Sequence, residues 1–249
     1  MREYIENHIL NKVEKPLRYV GDEMNAVKKD WAETKLHLAF AFPDVYEIGM
    51  SHLGLSIIYH LTNEQPDYLM ERVFAPWPDM EAQLREHELP LYGLESFTPL
   101  AEYDGIGFTL QYEMSYSNIL NMLDLGNIPL RWWERSDSDP LIFMGGPCAY
   151  NVEPLADFVD VVILGEGEEV NLEFYAVMAA HKEAHGGKLD KAKLLEELLE
   201  VPGLYIPRFY DVTYHEDGTL ASFTPNHPKA PAVIHKRYLK HMDHAYFPE

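Results

Sequence analysis

Short apolar runs alternate with stretches of helical periodicity between residues 34 and 184, and this alternation restricts the fold more than any other feature of the chain. Strands that alternate with helices at this spacing form parallel βαβ units with right-handed crossovers. The sequence therefore predicts an α/β fold with a doubly wound, flavodoxin-like or Rossmann-like, parallel five-stranded sheet. The predicted strands are residues 36–42, 68–74, 106–110, 141–144 and 159–164.

The composition of these runs also predicts their places in the sheet. Residues 36–42 are almost entirely apolar, as expected for a strand that is buried on both faces. We therefore place this strand at the centre of a flavodoxin-like order. Residues 68–74 are more mixed in polarity, which suits an edge or next-to-edge strand.

The segments on either side of the predicted sheet differ from it in pattern. Residues 1–33 are predicted to be an N-terminal helical extension, because apolar residues recur there at helical spacing up to Pro16. Residues 34–184 are predicted to form the Rossmann-like domain. Residues 185–249 are predicted to form an amphipathic helix, a hairpin and a linker that is rich in Pro, Lys and His.

Charge and cysteine content exclude several classes of function. The chain has 20 Lys and Arg against 41 Asp and Glu, a net charge of −21 at pH 7, so we expect no nucleic acid and no membrane as partner. Its one cysteine, Cys148, cannot form an internal disulfide or hold an iron–sulfur cluster alone, and we expect a packed, unreactive thiol. The sequence shows neither a signal peptide nor an apolar run long enough to span a membrane. We therefore expect a cytoplasmic protein.

Ligands of doubly wound folds bind outside the carboxyl ends of the strands, which directs attention to the loops that follow them. The loops in this position are 43–54, 111–116, 145–151 and 165–169. We predict a set of cofactor-binding residues in these loops: Glu47, Gly49, His52, Gly145, Gly146, Pro147, Gly165, Glu166 and Gly167. We expect the glycines of this set to share one crevice with Glu47 and His52, and we predict no catalytic residue and no metal ligand.

These positions also have structural interpretations without a ligand. Gly145 and Gly146 suit a tight strand-to-helix turn, and His52 is either an axial metal ligand or a histidine bonded to backbone at a helix N-terminus. The acidic turn 165–169 departs from a dinucleotide-binding fingerprint, because Val170 stands at the position of the third glycine and the carboxylates would repel a pyrophosphate. Those carboxylates instead favour the start of a helix.

Three motifs together resemble one known family: Phe42-Pro-Asp-Val-Tyr-Glu-Ile-Gly-Met-Ser-His-Leu-Gly54, Met144-Gly-Gly-Pro-Cys-Ala149 and Asp160-Val-Val-Ile-Leu-Gly-Glu-Gly-Glu168. They are similar to the N-terminal cobalamin-binding-like domain of B12-type radical SAM proteins, in an uncharacterised branch. The resemblance implies that a radical SAM barrel follows Glu249 in the full-length protein and is the partner of this domain. It also implies that the barrel binds the [4Fe-4S] cluster and S-adenosylmethionine, since the Cys-x3-Cys-x2-Cys signature is absent here. We therefore expect the chain to be an N-terminal fragment.

The resemblance leaves open whether cobalamin is bound. The Asp-x-His-x-x-Gly motif of classical cobalamin domains does not occur, because Met50 stands two residues before His52. Two functions remain: the chain is the cofactor- or substrate-covering domain of a radical SAM enzyme, or it is a non-catalytic Rossmann-like interaction module with no bound cofactor. A self-standing nucleotide-binding enzyme is disfavoured, because the phosphate-binding motifs are missing.

Overall fold

The computed structural model describes residues 1–248 and has at its centre a six-stranded sheet in the order β2-β1-β3-β4-β5-β6. The strands are β1 (Leu36–Phe42), β2 (Tyr68–Phe74), β3 (Gly105–Thr109), β4 (Leu141–Gly145), β5 (Val161–Ile163) and β6 (Leu204–Tyr205). Strands β1 to β5 are parallel, and β6 pairs with β5 in the antiparallel sense. The α/β class and the flavodoxin-like order of the parallel strands are therefore confirmed.

Two details of the sheet differ from the prediction. β1 is interior, between β2 and β3, but the middle of the five parallel strands is β3. All residues of β3 are buried. Its glycines lower the apolar content of the strand, so the composition does not indicate a central position. The sixth strand, β6, has two residues and therefore no periodicity to detect. It continues the sheet beyond residue 184, the predicted end of the Rossmann-like domain.

Helices cover both faces of the sheet. The α-helices of residues 1–248 are α1 (Arg2–His8), α2 (Tyr46–Met50), α3 (Leu53–Asn63), α4 (Pro78–Glu86), α5 (Tyr116–Leu125), α6 (Gly167–Ala184) and α7 (Lys191–Leu198). The predicted hairpin consists of β7 (Tyr210–Tyr214) and β8 (Leu220–Pro225). α1 is shorter than expected because a 3-10 turn follows it, and α2 replaces part of an expected loop. No helix of residues 1–248 is long and apolar enough to cross a membrane.

The sheet separates two apolar layers, because alternate residues of a strand point to opposite faces. The two alanines of β1 contact the layer that contains α4 and α5, whereas its leucines and phenylalanines contact the layer of α3, α6 and α7. α1 belongs to the first layer, since Ile5 and Ile9 are completely buried there. The N-terminal segment is thus part of the core.

Candidate functional site

A cavity of about 350 Å³ opens at the carboxyl ends of the parallel strands. It lies where the strand order reverses between β1 and β3, the position at which open α/β sheets bind ligands. Its apolar wall is made by the sheet and the helices α3 and α6: Phe40, Ile57, Ile58, Phe143, Ile163 and Tyr175. The cavity therefore occupies the edge where the sequence predicts a ligand.

Seven of the predicted residues line this cavity: His52, Gly145, Gly146, Pro147, Gly165, Glu166 and Gly167. Glu47 and Gly49 do not line it, because they belong to α2 rather than to an extended loop. Glu47 accepts hydrogen bonds from Arg18 at 3.0 Å and Lys15 at 3.2 Å, and the bond from Arg18 lowers the pKa of its carboxyl to about 2. Gly49 packs so closely that a Cβ there would overlap the ring of Phe74. Both residues therefore have structural partners outside the cavity.

His52 lines the cavity as the N-terminal cap of α3. Its Nδ1 accepts a hydrogen bond of 3.1 Å from the backbone N–H of Leu55. A neutral imidazole that accepts at Nδ1 carries its proton on Nε2. The second ring nitrogen is therefore a hydrogen-bond donor and not a lone pair for a metal, which favours the backbone-bonded interpretation of this histidine.

Gly165, in the acidic turn after β5, is approached by the chain's own backbone. It has a φ of +107° and forms a parallel bridge with Arg237, so a Cβ there would overlap the Arg237 backbone. Arg237 belongs to residues 235–247, which we call the C-terminal strap. The left-handed conformation at Gly165 therefore allows the strap to sit against the end of β5.

The C-terminal strap is held at two further points. The backbone N–H of Leu239 donates a hydrogen bond to the Glu166 carboxylate. The ring of Tyr246 stacks on that of His60 in α3, with the ring centres 3.7 Å apart. The strap thus runs from the end of β5 to α3, beside the mouth of the cavity.

α6 adds Asn171 and Tyr175, which the predicted set does not include, to the lining of the cavity. Gly167, Asn171 and Tyr175 line the cavity at intervals of four residues, the spacing that places side chains on one face of a helix. Glu168 lines the cavity as well. The helical period that begins at the Gly-Glu-Gly turn is the signal that could have identified Asn171 and Tyr175.

Gly145 leaves room in the cavity because it has no side chain. Gly145 and Phe143 are two residues apart in β4, so a side chain at position 145 would point to the same face as the Phe143 ring. A Cβ at this position would meet Ile163 at 3.6 Å, which is ordinary van der Waals contact. A larger residue is therefore accommodated here without backbone strain and would fill part of the cavity.

Cys148 follows the glycine turn at the cavity but is packed against the apolar layer of α4 and α5. Burial raises the pKa of its thiol, and the nearby Glu113 carboxylate adds to the rise. A raised pKa reduces the reactive thiolate fraction, in agreement with the expected packed thiol. Residues 1–248 contain no group of three His, Cys, Asp or Glu side chains arranged to hold a metal ion.

Three features of the cavity disfavour a corrinoid. Pockets for small molecules span roughly 300–1,000 Å³, and this cavity of about 350 Å³ is at the lower end of that range. His52 in its capping tautomer has no lone pair for cobalt. Gly165, where backbone could otherwise approach a planar ring, is covered by the C-terminal strap. The lining suits a smaller molecule with an apolar body.

A mostly parallel open sheet with helices on both faces defines a Rossmann-like fold, and a cavity lies at its carboxyl edge. The profile of the family described as radical SAM proteins, N-terminal, matches residues 54–207, which is more than half of the chain. The chain belongs to this family of radical SAM N-terminal domains. The expected relation to radical SAM proteins is thereby confirmed, and the comparisons do not test whether cobalamin is bound.

The chain is also similar to an uncharacterised protein of Methanocaldococcus jannaschii. The two are 28% identical over 141 residues, which covers 55% of this chain and 26% of the relative. The match thus spans about a quarter of the length of that curated relative. No solved structure gives a significant match to the chain.

Proposed function

We propose that this chain is the N-terminal domain that covers the substrate of a radical SAM enzyme, whose barrel binds S-adenosylmethionine and a [4Fe-4S] cluster elsewhere in the full-length protein. The observation that carries the proposal is the cavity at the carboxyl edge of a chain that belongs to the radical SAM N-terminal family. Apolar walls of this kind exclude water from a bound ligand, which protects reactive intermediates.

Radical chemistry of this kind needs residues that this chain does not supply. The radical SAM signature has three cysteines, and the chain has one. The relative from Methanocaldococcus jannaschii extends well beyond the matched segment, since the match covers 26% of its length. A barrel in another part of the full-length protein is consistent with both facts.

The surface of the carboxyl edge supports a covering role. Large apolar side chains that are at least 46% exposed occur in the segments that follow β1, β3 and β4: Ile48, Leu53, Tyr112, Met114 and Tyr150. Single exposed apolar residues are common on protein surfaces, but several at one edge suit contact with a second domain. We therefore propose that this edge contacts the barrel.

We expect S-adenosylmethionine to protect the carboxyl-edge loops from hydrogen–deuterium exchange in the full-length protein. If loops 43–54, 111–116 and 145–151 close over the barrel, a ligand in the barrel makes their opening less favourable, and exchange slows about tenfold for each ~1.4 kcal/mol of added local stability. Mass spectrometry of peptic peptides with and without S-adenosylmethionine measures the effect.

Peptides from the opposite edge of the sheet provide the internal control. Residues 136–140 directly precede β4, and the N–H of Lys191, which follows residues 186–190, donates a hydrogen bond to Asp137 at 3.1 Å. Both segments therefore lie near the amino end of β4 and should exchange at the same rate with and without S-adenosylmethionine. Unchanged exchange in every carboxyl-edge loop would contradict the covering role. That result would favour the alternative function, a non-catalytic interaction module whose cavity holds no cofactor.

We also propose that the ligand is a small molecule and not a corrinoid. We therefore expect no binding of hydroxocobalamin to the full-length protein at about 100 μM. A dissociation constant of that size corresponds to a binding free energy of about 5.5 kcal/mol. The small volume, the His52 tautomer and the strap over Gly165 support this expectation. The visible spectrum of hydroxocobalamin during titration provides the measurement. Saturable binding in the micromolar range would contradict it, and loss of that binding in His52→Ala would assign the imidazole as a cobalt ligand.

A further inference from the structure

Two of the residues that line the cavity carry a carboxylate. None of the lining residues found within residues 1–248 is a Lys or an Arg. These carboxylates belong to Glu166 and Glu168. Glu168 has no hydrogen-bond or ion-pair partner within residues 1–248. The guanidinium of Arg237 in the strap pairs instead with Glu173, at 2.6 Å, and with Glu169, at 3.7 Å. The negative charge at the cavity is therefore not compensated by a cationic side chain of its lining.

The side-chain amides of the lining are only partly used within the protein. Asn171 Nδ2 donates to the Gly167 carbonyl at 2.8 Å, and Gln111 Nε2 donates to Thr109 Oγ1 at 2.5 Å. Each of these amides keeps a second N–H, and the Thr109 hydroxyl and Nε2–H of His52 are further neutral donors. The charged groups of the lining are, in contrast, both acceptors, so a ligand that pairs with them must bring positively charged hydrogen-bond donors.

We propose that the cavity binds a small organic molecule with an apolar body and a protonated amine that contacts the Glu166 and Glu168 carboxylates. This inference rests on the proposed function, because it assigns the chemistry of the ligand in the same cavity. The apolar wall accepts the body of the molecule, and the carboxylates attract the ammonium group and repel a phosphate or carboxylate. A metal ion is a poorer occupant, because the described residues bring no three ligands together.

Three compounds that share a phenylpropyl body and differ in the charge of the terminal group test the proposal: 3-phenylpropylamine, 3-phenylpropan-1-ol and 4-phenylbutanoate. We expect this chain to bind the amine about tenfold more tightly than the alcohol and to bind the carboxylate most weakly, because the apolar body is the same and the terminal charge changes from positive to neutral to negative. Isothermal titration calorimetry or ligand-detected NMR gives the three affinities. The preference for the amine should shrink in about 1 M salt, where the Debye length is about 3 Å.

Two matched variants of α6 locate the effect. Glu168→Gln should weaken amine binding about fivefold or more and leave alcohol binding unchanged. Glu183→Gln removes the same charge from the last turn of α6, where the side chain is 70% exposed. This control should change the binding of neither compound. Gly145→Phe should block all binding and Gly145→Ala should not, which confirms the cavity as the site.

The inference is overturned if the alcohol or the carboxylate binds as tightly as the amine, or if Glu183→Gln has the same effect as Glu168→Gln. It is also overturned if no compound of the series binds at about 1 mM, which corresponds to a binding free energy of about 4.1 kcal/mol. These failures are distinguishable from failure of the proposed function. The hydrogen–deuterium exchange experiment with S-adenosylmethionine tests the covering role whether or not the amine binds.

Discussion

Replacement of Asp160 by alanine should lower the free energy of unfolding by about 3–5 kcal/mol, because it leaves a buried guanidinium without its anion. Asp160 accepts hydrogen bonds from Arg135 Nη2 at 3.2 Å and from the Ile142 N–H at 2.9 Å. The side chains of Arg135 and Asp160 are 0% and 1% exposed. Arg208 lies 3.7 Å from the other carboxylate oxygen and loses a partner as well. Urea unfolding followed by circular dichroism measures the loss.

Asp157→Ala is the matched control for Asp160→Ala. Asp157 pairs with Arg131 at 3.4 Å, and the two side chains are 58% and 44% exposed, so the control should cost less than about 1 kcal/mol. If the alanine variant of Asp160 does not fold, Asp160→Asn keeps an acceptor for the Ile142 N–H and still removes the charge. Equal losses for Asp157→Ala and Asp160→Ala would show that burial of the pair carries no special cost.

Substitution of Gly165 by alanine should release the C-terminal strap. The new Cβ would overlap the backbone of Arg237, and the φ of +107° adds a backbone strain of about 1–3 kcal/mol. We expect trypsin to cleave after Lys236, Arg237 and Lys240 about tenfold faster, because local opening of the strap exposes these bonds. Mass spectrometry of the early fragments measures the rates.

Gly186→Ala separates backbone strain from the contact with the strap. Gly186 also has a positive φ, of +67°, but a Cβ there meets nothing within 4 Å. This control should lower stability by about 1–2 kcal/mol without faster cleavage in the strap. If Gly165→Ala leaves the strap as resistant as Gly186→Ala does, the close approach of Arg237 does not hold the strap in place.

The parallel strands are predictable because each carries its own local signal. β1 and β2 have the bounds that the sequence predicts. A strand buried on both faces, such as β1, needs apolar side chains whatever strands lie beside it, and β2 is recognisable by the apolar residues on either side of its Glu71-Arg72 pair. β6 escapes prediction because its two residues pair with β5 only after the chain has passed through α6 and α7. Its position depends on contacts between distant segments.

The candidate site is predictable where it follows from topology and not where it follows from packing. The glycines after β4 and β5 meet at one cavity because the carboxyl ends of parallel strands converge at one edge. Glu47 and Gly49 are placed elsewhere because α2 packs Gly49 against the Phe74 ring, and the loop pattern of the sequence contains no trace of that contact.

The sequence by itself determines the class of fold, the order of the parallel strands, the relation to radical SAM proteins and the edge at which a ligand would bind. Only the tertiary structure decides that His52 caps α3, that Gly165 receives the strap and that Asp160 compensates the buried Arg135. The physical reason is that periodicity and turn chemistry act over a few neighbouring residues, whereas hydrogen-bond partners and burial are set by segments far apart in the chain. A His, a Gly and an Asp in the same local sequence would give the same prediction if their side chains and backbone faced solvent instead of these partners.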